Sequence, residues 1–263
     1  MGRAQISGRA VNYAGGVLVL TVVAPVFGTN CTVVAAGPGA PCVVVDAGAG
    51  VSGQVRALID VHGLQPRAVV ATHGHADHIW DAGGLCAAYH VPFLVHRADA
   101  YRVAEPLDSL GSVAGTLRGA LTSLGFAPEA YQPPAWLETF DPGPDGGRLP
   151  VEGVEIHLLH APGHTEGSTI LLLDGAPDDA SALPPLVPGA DAATPSGLAL
   201  MGDVVFADGI GRVDLAGGDE SEMILTLSTR PGRIADDTLI IPGHGPASTM
   251  GRERARNPYL AEF

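Results

Sequence analysis

One stretch of seven residues constrains this chain more than any other. Thr72-His73-Gly74-His75-Ala76-Asp77-His78 sets three histidines and an aspartate within six residues, directly after the apolar run Ala68-Val69-Val70-Ala71. Packing does not select such a composition. Neutral imidazole nitrogens and carboxylate oxygens are the atoms that Zn²⁺ and similar divalent ions take as ligands. The apolar run reads as a strand, and the cluster reads as the loop at its C-terminal end. A fold that uses this loop must bring further ligands to the same strand end.

The remaining chain offers them on the same plan. The run ending at Leu159 leads into Pro162-Gly163-His164, the run ending at Met201 into Gly202-Asp203, and the run ending at Ile241 into Pro242-Gly243-His244. Alone, His164 could be a turn residue and Asp203 a helix N-cap. Together they repeat one device, since open α/β architectures place sites at strand C-termini. His73 and His75 are two apart, so in an extended segment they point to one side. Asp77 and His78 fall where the chain turns into the next helix and can face a neighbouring position. That arrangement suits two adjacent ions. His73, His75 and His164 hold one, Asp77, His78 and His244 hold the other, and Asp203 bridges them.

Between these points the pattern alternates strands and helices. Val17–Val23, Thr32–Ala35 and Cys42–Val45 read as an antiparallel meander, Val51–Val61 as a helix closed by Gly63, and Ala68–Ala71 as the next strand. One helix is predicted over Ile79–His90, a strand at Phe93–Val95, and mixed helix to about Phe126. Strands follow at Val154–Leu159, Thr169–Leu173, Leu198–Met201 and, last, Thr238–Ile241, with a helix at Glu220–Leu227. Residues 174–199 are rich in Pro, Ala, Gly and Asp and read as a flexible insertion within a single domain spanning 1–263. From Gly251 the chain is Arg-rich and reads as a short surface helix.

Charge narrows the function classes. With 28 acidic and 14 basic residues the net charge is −14, which disfavours nucleic acid and anionic membrane as partners. Met1–Arg9 shows no leader, and Val17–Val23 is too short to span a bilayer, so a cytoplasmic protein is expected. Cys31, Cys42 and Cys86 form no CxxC pair and read as reduced, buried thiols.

The Thr72–His78 segment, Pro162-Gly163-His164-Thr165-Glu166-Gly167-Ser168, Gly202-Asp203, Pro242-Gly243-His244-Gly245 and Asp46-Ala47-Gly48 together resemble the metallo-β-lactamase-fold hydrolases. The resemblance implies an αββα sandwich with its metals at one edge. Gly202–Phe206, Gly209–Leu215 and the Gly251-Arg252-Glu253 and Asn257-Pro258-Tyr259-Leu260 segments are similar to the glyoxalase II-like branch, in its short form. The activity implied is hydrolysis of hydroxyacyl-thiol thioesters by a metal-bound hydroxide, with a small-molecule thioester as partner. The expected cofactor is a pair of divalent ions, Zn²⁺ first, with Fe or Mn as alternatives. Asp77 is expected to orient the nucleophile as well as to ligate. Arg212 is a candidate for a substrate carboxylate, or else a structural partner for Asp214. The alternative activity is that of a mononuclear iron persulfide dioxygenase, which the same fold supports. Homo-oligomerisation is left open.

Other signals read as structural. Gly48-Ala49-Gly50-Val51-Ser52-Gly53 fits G-x-G-x-x-G, but no acidic residue stands near twenty positions on except Asp77, so a tight turn is expected. His62, His90, His96, His157 and His160 are read as structural, and Arg252, Arg254 and Arg256 as a solvated basic face.

Overall fold

A computed structural model describes residues 17–175, 182–190, 195–261 and 263. The reading of Met1–Arg9 and parts of the 174–199 insertion, 176–181 and 191–194, lie outside the described residues.

The first half builds one sheet. The meander β1 (Leu18–Val23), β2 (Asn30–Ala35) and β3 (Pro41–Val45) is antiparallel, as its short, closely spaced β-branched runs predict. Helix α1 (Ser52–His62) then crosses over, so β4 (Gln65–Val70) pairs parallel with β3. Gly63 ends α1 at φ 63°, a left-handed conformation that costs glycine little. Strand β5 (Phe93–His96) extends the parallel part.

The single helix expected over Ile79–His90 is divided into α2 (Ala76–Ile79) and α3 (Ala82–Tyr89). The cause is local. The Asp77 carbonyl accepts the Thr29 hydroxyl at 2.9 Å, and the Asp81 N–H donates to Ala47 O at 2.9 Å instead of continuing the helical ladder. After β5 come 3₁₀ turns at Arg97–Arg102 and Asp108–Val113 and helix α4 (Ala114–Ser123). An edge strand, β6 (Leu137–Phe140), completes this sheet in the order β1-β2-β3-β4-β5-β6.

The second sheet runs β14-β13-β10-β9-β8-β7. Its members are β7 (Gly147–Arg148), β8 (His157–His160), β9 (Thr169–Asp174), β10 (Gly197–Gly202), β13 (Leu239–Pro242) and β14 (Ser248–Thr249). A small hairpin, β11 (Val205–Phe206) with β12 (Gly209–Ile210), follows β10. Thr238–Ile241 is therefore not the last strand, because β14 adds antiparallel to β13 before α6 (Met250–Arg256).

Alternation sorts the core into layers. On β9, β10 and β13, Leu171, Leu173, Leu198, Leu200, Leu239 and Ile241 enter the core shared with the first sheet. Their neighbours Ile170, Ala199, Met201 and Ile240 face the other way, against Met223 and Leu227 of α5 (Glu220–Thr229). Helices α1 and α3 cover the outer face of the first sheet. The result is the αββα sandwich that the sequence predicts.

The sheets are tied to each other at one edge. Asn30 donates its backbone N–H to Gly243 O at 2.7 Å and its side-chain amide to Pro242 O at 2.9 Å, and Thr169 N–H donates to Thr72 O at 2.9 Å. These bonds join the ends of β2 and β4 to those of β13 and β9, and the histidine-bearing loops emerge at that edge. All three cysteines are buried free thiols, and burial pushes Cys42 and Cys86 up to about 12. They are inert, as their placement in apolar runs implies.

Candidate metal centre

The sandwich brings His73, His75, Asp77, His78, His164, Asp203 and His244 to one place. They form three overlapping groups, each with ligand atoms within 4.8 Å of one another: His73 with His75 and His164, His73 with His78 and Asp203, and Asp77 with His78 and His244. The first and third are the two sets that the sequence spacing predicts. Asp203 lies between them. Its Oδ1 is 3.4 Å from His78 Nε2, while Oδ2 is 3.5 Å from His164 Nε2 and 3.6 Å from His244 Nε2. Asp77 Oδ2 is 3.1 Å from His244 Nε2. Gly243 must lack a side chain, because a Cβ there would stand 2.1 Å from Asp203 Oδ1.

The outer partners of the rings fix what the cluster presents. His164 Nδ1 donates to Arg212 O at 2.7 Å, and His244 Nδ1 to Phe27 O at 3.0 Å. His78 Nδ1 faces Asp46 Oδ2 at 3.0 Å. Asp46 also accepts the Thr72 N–H and hydroxyl, both at 2.8 Å, which turns the Thr72 oxygen toward His73 Nδ1 at 3.2 Å. With Nδ1 of His164, His244 and His73 so engaged and that of His78 facing a carboxylate, neutral rings aim their Nε2 lone pairs inward. His75 instead presents Nδ1, 2.9 Å from His164 Nε2 and 3.1 Å from His73 Nε2. Lone pairs converging at about 3 Å repel one another unless protons or a cation lie between them. The donor set therefore fits divalent ions, and the cluster is able to bind them.

Electrostatics separate the two halves. Burial drives His75 down to about 3, with the neighbouring His164 adding to it, and drives His73 well below the ordinary histidine value. Burial acts on His78 in the same sense, but Asp46, Asp77 and Asp203 outweigh it and hold that ring above 6.5. For His244, burial is outweighed by the hydrogen bond to Asp77 and by Asp203, and the net shift is again upward. Asp77 is held below the usual carboxylate range because His78 and the His244 bond overcome its burial, and Asp203 is lowered in the same way.

This asymmetry predicts a staged metal uptake. A raised histidine keeps its proton to higher pH, so a metal must displace that proton, and affinity rises with pH through the folded pKa. His73 and His75 are neutral well below pH 6.5 and need no such displacement. Zinc titration below pH 6.5 is expected to load the His73 group first, with the second ion gaining affinity as pH rises above 6.5. Calorimetry in buffers of different ionisation enthalpy would show extra proton release on the second step. Two affinities that fall in parallel with pH would contradict the division.

A second layer of residues went unread in the sequence. Asp99 is fully buried and accepts from Gly74 N at 2.8 Å, Thr165 Oγ1 at 2.7 Å, Gly167 N at 2.9 Å and Arg102 Nε at 3.4 Å. It thereby ties the His73–His75 loop to the His164 loop. Arg102, also buried, reaches Glu166 at 2.5 Å and Ala216 O at 2.9 Å. The one available signal is a charged pair three apart just after strand β5.

Contacts place the remaining candidates. The Arg212 guanidinium pairs with both oxygens of Asp214, at 2.6 and 2.7 Å, which is the structural alternative held open for it. Its side chain still lines the mouth of the cavity beside the cluster. His96 and His160 are partners, stacked at 4.2 Å and 8°, and His160 donates to Glu166 O at 2.8 Å. Arg252 is not part of a solvated face, for it pairs with Asp208 at 2.8 Å and with buried Glu253 at 2.6 Å. The G-x-G-x-x-G segment is a tight turn whose Gly48 packs on Asp77 O. Among the described residues no helix is long and apolar enough to cross a membrane.

Comparison with known proteins agrees with the fold. An uncharacterized protein of Mycobacterium tuberculosis is 32% identical over 93% of this chain and 98% of its own length. The hydroxyacylglutathione hydrolase GloC of Haemophilus influenzae is 27% identical over 75% of this chain and 77% of its own. The solved structure of TTHA1623 in a di-iron-bound form superposes with a TM-score of 0.64 at 25% identity, covering 91% of this chain and 99% of that one. The model of the metallo-beta-lactamase superfamily matches residues 24–177. With the sandwich, the histidine loops at its edge and these likenesses in agreement, the chain belongs to the metallo-beta-lactamase superfamily.

Proposed function

We propose that this protein is a binuclear metal-dependent hydrolase of hydroxyacyl-thiol thioesters. The observation that carries the reading is the completeness of the second ligand group, Asp77, His78 and His244, joined to the first through Asp203. His73, His75 and His164 would hold one ion, Asp77, His78 and His244 the other, and Asp203 would touch both. Ions bound there lower the pKa of water to about 7 and polarise a carbonyl oxygen. The remaining work falls to the chain. Asp77 is ionised at neutral pH and opens toward the cavity, so it can accept a hydrogen bond from the attacking water and orient it. The Asp46 and Thr72 contacts keep His78 and His73 in register while charge builds on the substrate.

The leaving group selects the substrate class. A free thiol has a pKa of about 8.5, so a thiolate departs without a strong general acid. Among the described residues, the cavity lining includes no Lys, Tyr or Cys that could donate a proton to a poorer leaving group. The GloC relative is named for hydrolysis of hydroxyacylglutathione, which supports a thioester. The di-iron form of TTHA1623 supports two ions and admits iron beside zinc.

Protein purified without added metal should carry close to two divalent ions per chain and hydrolyse hydroxyacyl thioesters in a screen across several thiol carriers. One tightly held iron per chain, with oxygen consumption on a persulfide, would overturn this reading in favour of the dioxygenase.

A further inference from the structure

The cavity beside the ligand cluster holds about 580 Å³, within the range of small-molecule sites. A hydroxyacyl group of three carbons fills only a small part of that space. The rest must take the other portion of the substrate, the thiol carrier. The walls say what kind of carrier. Leu110, Val113 and Leu117 line it from the 3₁₀ turn at Asp108–Val113 and from α4. Phe206, Ile210 and Leu215 line it from the β11–β12 hairpin and the segment after it.

Charge is as informative as shape. The chain has no lysine, and each of its 14 basic residues is an arginine. Arg212 is the one arginine among the described residues lining the cavity, and its Nε and Nη2 both bond Asp214. Arg118, on the outer side of α4, is paired with Asp108 at 2.6 Å. Away from the ligand cluster, a carrier with free carboxylates would find no unpaired cationic side chain among the described residues of these walls and would approach a chain of net charge −14.

We infer that the thiol carrier recognised by this site is uncharged and apolar where it meets the cavity, seated between Leu110, Leu117, Phe206 and Leu215, and that glutathione is a poor carrier. This rests on the thioesterase reading for the reaction, but the binding can be tested alone. Each methylene removed from water is worth a factor of about four in affinity. Calorimetry on the metal-loaded protein with methyl ethyl, methyl butyl and methyl hexyl sulfide should show Kd falling about fourfold per added methylene. S-methylglutathione should bind more weakly than methyl hexyl sulfide. Leu117→Asp, at a half-buried position, should weaken methyl hexyl sulfide by about tenfold while circular dichroism stays that of the parent. A flat sulfide series, or tighter binding of S-methylglutathione, would overturn the inference.

Turnover then separates the two ideas. Comparing the 2-hydroxypropanoyl thioesters of hexanethiol and of glutathione, kcat/KM should favour hexanethiol. A preference for the glutathione thioester would sink the carrier inference and leave the thioesterase reading intact. A sulfide series that behaves as expected with no hydrolysis of either thioester would sink the thioesterase reading and leave the cavity assignment standing.

Discussion

Asp99→Ala is expected to destabilise the protein by about 3–5 kcal/mol, as removal of one member of a buried ion pair does. In a chain of this size that lowers the melting temperature by roughly 10 °C. The reason is the number of groups that this carboxylate serves. Gly74, Thr165 and Gly167 all donate to it, and all are buried at the base of the histidine loops. Without it each donor pays its own desolvation, and Arg102 is left with only the half-exposed Glu166 as its carboxylate partner. Asp99→Asn keeps one acceptor oxygen and should cost less. Urea denaturation of metal-free protein isolates this effect from metal binding. A loss below about 1 kcal/mol for the alanine variant would show that the loops are held by their packing alone.

The second large effect belongs to Asp203. Replacement by Ala should lower affinity for at least one ion, and thioester turnover, by more than about 100-fold, because loss of a residue that only orients a ligand already costs 10–100-fold. Asp203 is the carboxylate within 3.6 Å of histidines from both halves, so no neighbour can replace it. Circular dichroism should remain that of the parent, since no hydrogen bond from the Asp203 side chain supports a backbone group among those described. Metal content after dialysis is the direct readout. A variant that keeps two ions and full turnover would refute the bridging position.

The candidate ligands are readable because each follows an apolar run with turn chemistry after it, and apolar runs are legible without knowledge of their partners. Pairing His164 with His73 and His75, and His244 with Asp77 and His78, was legible from the resemblance and from the side on which alternate residues project. What stayed hidden depends on long-range contact. Asp99 meets its donors Thr165 and Gly167 only after β5 and β8–β9 are brought together, 66 and 68 residues apart. Strand β6 was missed because three of its four residues are exposed, which is an edge strand without an apolar alternation to betray it. The break between α2 and α3 comes from Thr29 and Ala47, neither of which is local to it. Arg252 looked free because its partner Asp208 sits 44 residues earlier, in the β11–β12 turn.

The lacing of the two sheets at the metal edge makes that edge the spine of a book. Sheets joined at a spine part from the opposite side, so the cheapest opening of this sandwich leaves the ligand loops assembled. In amide exchange the Asn30 and Thr169 protons, which cross from one sheet to the other, should then be among the last to go. The chain would shed much of its order before it released an ion, and metal loss would mark the end of unfolding instead of its beginning.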